Sequence, residues 1–250
     1  MDSRIVKNIV LIPSRLESKR LPGKALLDVD GLPIIVHTAK RSELAKKVDE
    51  VHVCTDNQKI IDVCNKFGIN SILTDKNFAN GTERIASVSS NFSDSLIIDV
   101  QGDEPLIKPE YIDSLIDAHI NHPSKPDAII PTIEVPYSSN DTIIRVIASN
   151  SGRVMNLTRG NAPYRYKSEV SLVKKHVSVI SFTIEALNKY SELPISYLES
   201  IEDIEMLRAV ENDMRVYTHE LDGNSFSVDV NDDYIKAKIA MLDDPIRKLY

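Results

Sequence analysis

The chain has 250 residues, of which 42% are hydrophobic and 27% charged, and its formal net charge is -7. That length suits one large domain, or one domain carrying a substantial insertion, with enough apolar residues to bury a core. The acidic balance argues against a general nucleic-acid binder, which presents a basic face.

Asn8-Ile9-Val10-Leu11-Ile12-Pro13 is a continuous apolar run of the kind found in buried parallel strands. A loop follows to the Asp30-Gly31 turn, and Pro33 then opens a helix through Leu44. Glu50 to Thr55 reads as a second strand. Gln58 to Phe67 is helical in period and stops at Gly68, a suitable C-cap. Ser71 to Leu73 is a short third strand, Thr82 to Phe92 a helix, and Leu96 to Val100 a fourth strand. Pro109 to His122 is helical and Asp127 to Val135 extended. Strands alternating with helices of about ten residues predict a parallel sheet covered on both faces.

The regularity then changes. Thr142 to Ala148 and Arg153 to Leu157 pair around the Asn150-Ser151-Gly152 turn. Arg159 to Lys175 is polar and irregular, Val177 to Thr183 is a strand and Ile201 to Val210 a helix. The segment from about 136 to 198 reads as an insertion or lid packed beside the sheet of a single domain, 1–250. Val216 to Glu220 and the run Phe226 to Val230 return to the core as strands. Asn231 to Leu242 closes the chain as a helix with Asn231 as N-cap. Cys54 and Cys64 form no framework and are expected as buried thiols. No run is long enough to span a bilayer, and Asn8–Pro13 is too short for a signal peptide, so the expected location is cytoplasmic.

Three polar signatures follow apolar runs, where an open α/β sheet places its site. Arg15, Lys19, Arg20 and Lys24 flank Pro22-Gly23; glycine admits a phosphate to the backbone and the cations neutralise it. The Walker spacing is absent, and the same residues also describe an ordinary exposed basic loop. Asp103, two residues past Gln101, is placed to hold a Mg²⁺ that bridges phosphates; the other reading is a cap on the loop before Pro105. Asp229 is the best second ligand, while Asp232 and Asp233 suit the first turn of the closing helix. Gly81-Thr82-Glu83-Arg84 opens a helix whose backbone suits a base edge or sugar hydroxyl, though on chemistry alone it reads slightly better as a plain helix start capped by Thr82 with Glu83 in the first turn. His37, His52, His119, His122 and His219 have no metal spacing. His176, beside Lys174 and Lys175, is a candidate contact for an anionic substrate.

Taken in order, Ile12-Pro13-Ser14-Arg15, Ser18 with Arg20-Leu21-Pro22-Gly23-Lys24, Thr55-Asp56, Gly81-Thr82-Glu83-Arg84 and Val100-Gln101-Gly102-Asp103-Glu104-Pro105 resemble the signatures of the 3-deoxy-manno-octulosonate (Kdo) cytidylyltransferases. The resemblance spans nearly the whole chain and is densest up to Pro109. It implies a three-layer, Rossmann-like α/β nucleotidyltransferase fold of the glycosyltransferase A type, with a mixed, mainly parallel sheet. It also implies a CTP donor, Mg²⁺, and a homodimer formed through the inserted region. By the same resemblance Arg15, Ser18 and Lys24 match positions at the CTP phosphates or ribose. Thr55, Gly81, Thr82 and Arg84 match the cytidine side, and Asp103 and Asp229 the metal-binding acids. Gln101, Arg159, His176 and Glu205 match the sugar-acid pocket, with Arg165 assisting.

Four departures fall in the acceptor half. Ile180 stands where the family has tyrosine and Met206 where it has glutamine. The second arginine of the insertion is shifted by one place, and Val228-Asp229-Val230-Asn231 replaces Val-Asp-Thr-Pro. The expected reaction is CTP plus a 2-keto-3-deoxy sugar acid giving a CMP-sugar and pyrophosphate, for lipopolysaccharide or capsule synthesis, with Arg15, Lys24, Asp103 and Asp229 as the catalytic set. Alternatives are the same chemistry on 8-amino Kdo or a nonulosonic acid, and a non-catalytic nucleotide-sugar sensor.

Overall fold

A computed structural model describes residues 7–250. The chain runs β1 (Lys7–Ser14), β2 (Asp28–Val29), β3 (Leu32–Pro33), α1 (Ile34–Glu43), β4 (Glu50–Thr55), α2 (Gln58–Lys66), β5 (Asn70–Leu73), α3 (Gly81–Ala86), β6 (Ser95–Val100) and α4 (Pro109–Ile120). It continues through β7 (Ala128–Pro136), β8 (Arg145–Ala148), β9 (Val154–Thr158), β10 (Leu172–His176), β11 (Val179–Thr183), α5 (Ile184–Glu192), α6 (Tyr197–Glu202), α7 (Met206–Glu211), β12 (Val216–Glu220) and α8 (Asn231–Leu242). Ten strands form one sheet in the order β5-β4-β1-β6-β11-β7-β10-β8-β9, with β12 also paired to β7. Strands β1, β4, β5, β6, β7, β8 and β12 run one way, and β9, β10 and β11 run against them, so the sheet is mixed and mainly parallel.

The sheet is buried on both faces because its central strands carry apolar residues at successive positions. Val10 and Ile12 of β1, with Leu96, Ile98 and Val100 of β6, pack against α1, α2 and α4. Ile9, Leu11 and Ile97 face the other way, toward α3, α5 and α7. Alternation puts Asp99 on that second face, within an otherwise apolar layer. A smaller cluster of Val29, Ile34, Val228, Ala237 and Met241 docks α8 on the start of α1.

Several expected elements differ. Segment 136–198 is woven into the sheet rather than packed beside it: β8, β9 and β10 extend one edge, and β11 lies between β6 and β7. The tail of the polar stretch, Leu172–His176, is a strand because β7 supplies a partner for all five of its residues. Helix α5, Ile184–Glu192, falls in a stretch to which the sequence reading assigns no element. The helix expected over 82–92 ends at Ala86, and a 3-10 turn follows at Ser89–Asn91. The helix expected over 201–210 is two helices, broken where Asp203 takes φ 52. Phe226–Val230 joins no ladder; its tie to the core is the Val228 N–H donating to the Asp103 carbonyl at 2.9 Å. Val230, not Asn231, is the N-cap of α8, and the Asp233 carboxylate accepts from its N–H at 3.3 Å.

Candidate active site

Strand β1 ends at Ser14 and delivers the basic loop to the carboxyl edge of the sheet. Gly23 takes φ 68, a left-handed conformation that glycine adopts freely, and turns the chain into a 3-10 turn beginning at Lys24. The Lys24 ammonium donates to Asp103 Oδ2 at 2.5 Å and lies 3.4 Å from Asp229 Oδ1. Arg20 also donates to Asp229 Oδ1, at 2.8 Å. Ser18 Oγ accepts from the Leu21 N–H at 3.3 Å and shapes the turn.

Two backbone features bring these groups together. A Cβ on Gly102 would fall 2.8 Å from the Pro13 carbonyl oxygen, so only glycine lets the loops after β1 and β6 approach this closely. The Val228–Asp103 backbone bond then sets Asp229 beside Asp103. Glu104, next in sequence, is buried with Oε1 unpartnered. Burial and the neighbouring Asp103 push its carboxyl up to about 7.

Asp103 and Asp229 fit a divalent cation. Both carboxylates converge on one ammonium, so hard anionic oxygens from two segments already face a single cationic centre. Among the described residues no group of three or more metal-ligating side chains is assembled. Magnesium needs only one or two carboxylates when phosphate oxygens and water complete its shell.

These residues border a cavity of about 600 Å³. Of the positions picked out in the sequence, it brings together Arg15, Gly81, Gln101, Asp103, His176, Glu205 and Asp229, with Ile180 and Met206 in the same wall. The break at Asp203 makes Glu205 the N-cap of α7 and turns it into the cavity, where it accepts from the Thr82 N–H at 3.3 Å. A Cβ on Gly81 would meet Pro13 Cγ at 3.0 Å and the Gln101 amide at 3.2 Å, so this floor is close-packed. Burial pushes His176 down to about 4, leaving the ring neutral. A neutral ring meets a ligand through hydrogen bonds, which is compatible with its place as a candidate contact for an anionic substrate. Its Nδ1 is buried without a partner.

Other expected site residues lie elsewhere. Thr55 is buried at the end of β4, in register with Ser14, and its hydroxyl accepts from the Asn57 N–H at 3.3 Å. Arg84 is buried in the scaffold: it pairs with Asp56 at 3.1 Å, donates to Thr74 Oγ1 at 2.6 Å and to the Asp75 carbonyl at 3.1 Å, and stacks on Phe78. Arg159 and Arg165 stand outside the cavity wall. Arg159 donates to the carbonyls of Glu202, Asp141 and Asp203. Arg165 pairs with Glu169 at 3.1 Å and stacks on Tyr137. Among the described residues, Arg15 is the arginine that lines the cavity.

Two features escaped the sequence reading. Arg208 is buried and grips both oxygens of Glu199, which lines the cavity, and Glu83 as well. Asp99 is wholly buried beneath Gln101 and Thr82. A carboxylate inside the run Leu96-Ile97-Ile98-Asp99-Val100 was the available signal, since such a group stays buried only when bonded.

The cytidylyltransferase family profile matches residues 9–216. The 3-deoxy-manno-octulosonate cytidylyltransferase of Chloroherpeton thalassium is 34% identical over 93% of this chain and 97% of its own length. The protein of that name from Escherichia coli is 30% identical over 89% of this chain and 91% of its own. A solved CMP:2-keto-3-deoxy-manno-octonic acid synthetase complexed with CTP superposes with a TM-score of 0.88 at 29% identity, covering 94% of this chain and 98% of that one. A cytidylyltransferase from Leptospira borgpetersenii, 16% identical with a TM-score of 0.66 over 95% of this chain and 87% of that one, shares the fold. Signatures, fold and relatives agree: the chain belongs to the 3-deoxy-manno-octulosonate cytidylyltransferase family of nucleotidyltransferases.

Proposed function

We propose that this enzyme transfers CMP from CTP to the anomeric hydroxyl of Kdo or a close analogue, releasing pyrophosphate, on a route to lipopolysaccharide or capsule. The observation that carries this reading is the convergence of Asp103 and Asp229 on Lys24, at a cavity that also holds Arg15. The sugar oxygen attacks the α-phosphorus in line and its hydroxyl proton passes to solvent; the new P–O bond forms as the bond from the α-phosphorus to the bridging oxygen of the leaving pyrophosphate breaks. Lys24 and Arg15 neutralise phosphate charge as it moves to the leaving group. Asp103 and Asp229 would hold Mg²⁺, which when bound lowers phosphate charge and templates the two substrates. The close-packed floor of Gly81 and Thr82, with Thr55 beside β1, suits the cytidine side. Arg84 serves it indirectly by pinning residues 74–75. Positioning and electrostatics carry the rate, and no protein nucleophile is needed.

A homodimer through the segment at 136–198 belongs to this reading, supported by exposed Met155, Tyr164, Tyr166 and Leu172. A cytoplasmic location belongs to it too; among the described residues, no helix is long and apolar enough to cross a membrane.

Nucleotide choice tests the reading. A site that hydrogen-bonds the cytosine edge rejects a base that leaves those groups unpaired, so kcat/KM for CTP should exceed that for ATP or GTP by on the order of 10⁴-fold. Equal pyrophosphate release from a purine nucleotide would end the cytidylyltransferase reading.

One observation favours a variant acceptor. Of the five carboxylates in the cavity wall, Asp103 and Asp229 are paired with Lys24 and Glu199 with Arg208, which leaves Asp203 and Glu205 without a cationic side chain in a salt bridge among the described residues. Ile180 and Met206 add apolar surface where the family pattern has hydroxyl and amide. An acceptor bearing a protonated amine suits this wall better than one bearing a second anion. We expect kcat/KM for 8-amino Kdo to exceed that for Kdo by tenfold or more, with Ile180→Tyr narrowing the gap. A wild-type enzyme that prefers Kdo and is damaged by Ile180→Tyr would establish the plain Kdo acceptor.

A further inference from the structure

Asp99 sits in the central strand of the sheet, on the face otherwise occupied by Ile9, Leu11 and Ile97. It is fully buried. A carboxyl in such a layer is costly unless hydrogen bonds hold it, and Asp99 is held by two side chains of the proposed site. Gln101 Nε2 donates to both of its oxygens, at 3.1 and 3.2 Å. Thr82 Oγ1 donates to Oδ2 at 3.3 Å, while the N–H of the same threonine donates to Glu205. Thr82 thus ties two acids of the cavity floor to one residue.

We propose that Asp99 is a positioning residue of the acceptor pocket: it holds the amide nitrogen of Gln101 toward the sheet and so turns the Gln101 carbonyl oxygen to the cavity, as an acceptor for a hydroxyl or amine of the bound sugar acid. The assignment of Gln101 to the acceptor side rests on the function proposed above; the amide orientation does not. Without Asp99 the amide has no anchor among the described residues and rotates, offering its N–H₂ and its oxygen in turn. An amide that presents a fixed acceptor discriminates between donors and acceptors on the ligand, which a rotating one does not. Desolvation holds the Asp99 carboxyl well above the usual carboxylate range, and the nearby Glu205 adds to the effect. The two acids therefore do not ionise independently; Gln101 donates to Asp99 alone, while Thr82 donates to both.

The amide is read first in the unliganded protein by ¹H–¹⁵N NMR, with the Gln101 side-chain pair identified by its loss in Gln101→Ala. Slow exchange with water is expected in wild type, and solvent-like exchange in Asp99→Leu, which keeps the branched heavy-atom shape of the acid without its oxygens. Solvent-like exchange in wild type overturns the proposal, whether or not Asp99→Leu folds. Kinetics supply the second readout. Asp99→Leu should raise KM for the sugar acid tenfold or more, with KM for CTP within twofold. Asp99→Asn, whose Oδ1 still accepts from Gln101, should return the sugar KM to within threefold of wild type. Asp99→Leu added to Gln101→Ala should cost nothing further, because both changes remove the same fixed oxygen. Losses that multiply, or a uniform fall in kcat with both KM values unchanged, would mark a structural role and overturn the proposal. A wild-type protein inactive with CTP and every sugar acid would defeat the functional reading instead, and the exchange experiment would still decide the role of Asp99.

Discussion

Asp103→Asn should lower kcat/KM by on the order of 10³-fold, with a melting temperature close to that of wild type. The substitution keeps side-chain volume and removes the formal charge of one hard oxygen ligand. Asp103 is a quarter exposed and Lys24 remains within reach of Asp229, so no buried charge is stranded. Activity and stability therefore separate at this position. Asp229→Asn should behave alike, because the two carboxylates face the same cationic centre. Pyrophosphate release with CTP and Kdo across a Mg²⁺ titration, paired with a thermal melt, checks both variants. Near-normal turnover of Asp103→Asn at saturating Mg²⁺ would remove this residue from metal binding. A large drop in melting temperature with activity retained would make it a structural acid.

Arg208→Met should be the most damaging substitution for stability. Arg208 is 1% exposed. Its Nε and Nη2 grip the Glu199 carboxylate at 2.8 and 2.7 Å, its Nη1 meets Glu83 at 2.7 Å, and its plane stacks on Tyr190. The hydrogen bonds it donates to Glu199, then the one to Glu83, hold the arginine charged despite its burial. Methionine fills the space but leaves a buried carboxylate without its counter-charge, which costs about 3–5 kcal/mol. For a domain of this size that is a fall of roughly 6–20 °C in melting temperature. Lysine should rescue poorly, since a point charge does not reproduce a two-pronged grip. Because Glu199 also lines the cavity, surviving Arg208→Met protein should show a raised KM for the sugar acid and a nearly unchanged KM for CTP. A melt within 2 °C of wild type, on a thermal scan, would show that the network contributes little.

Elements defined by local signals were legible in the chain. The spans Glu50–Thr55, Val216–Glu220 and Asn231–Leu242 coincide with β4, β12 and α8. Each is a short apolar or periodic run closed by a turn or capping residue. What was missed depends on partners far away in sequence. Leu172–His176 carries two lysines and reads as polar loop, yet pairing with β7 makes it a strand. Phe226–Val230 reads as a strand and has no ladder to join. The left-handed Asp203 that divides α6 from α7, and so aims Glu205 at the cavity, has no glycine to announce it.

The same division holds at the site. Residue type and local pattern told which strand ends carry cations and which carry acids, because glycine-bearing polar loops after buried strands have a narrow range of uses. Which charges stay available was decided by tertiary contacts. Lys24 meets Asp229 across 205 positions. Arg159 and Arg165, expected at the acceptor, are engaged by carbonyls and by Glu169. His176, expected to meet an anion, is kept neutral by burial. A side chain's ionisation and its free hydrogen-bonding groups are set by whatever packs around it. That packing joins segments distant in sequence, so no local stretch of this chain contains it.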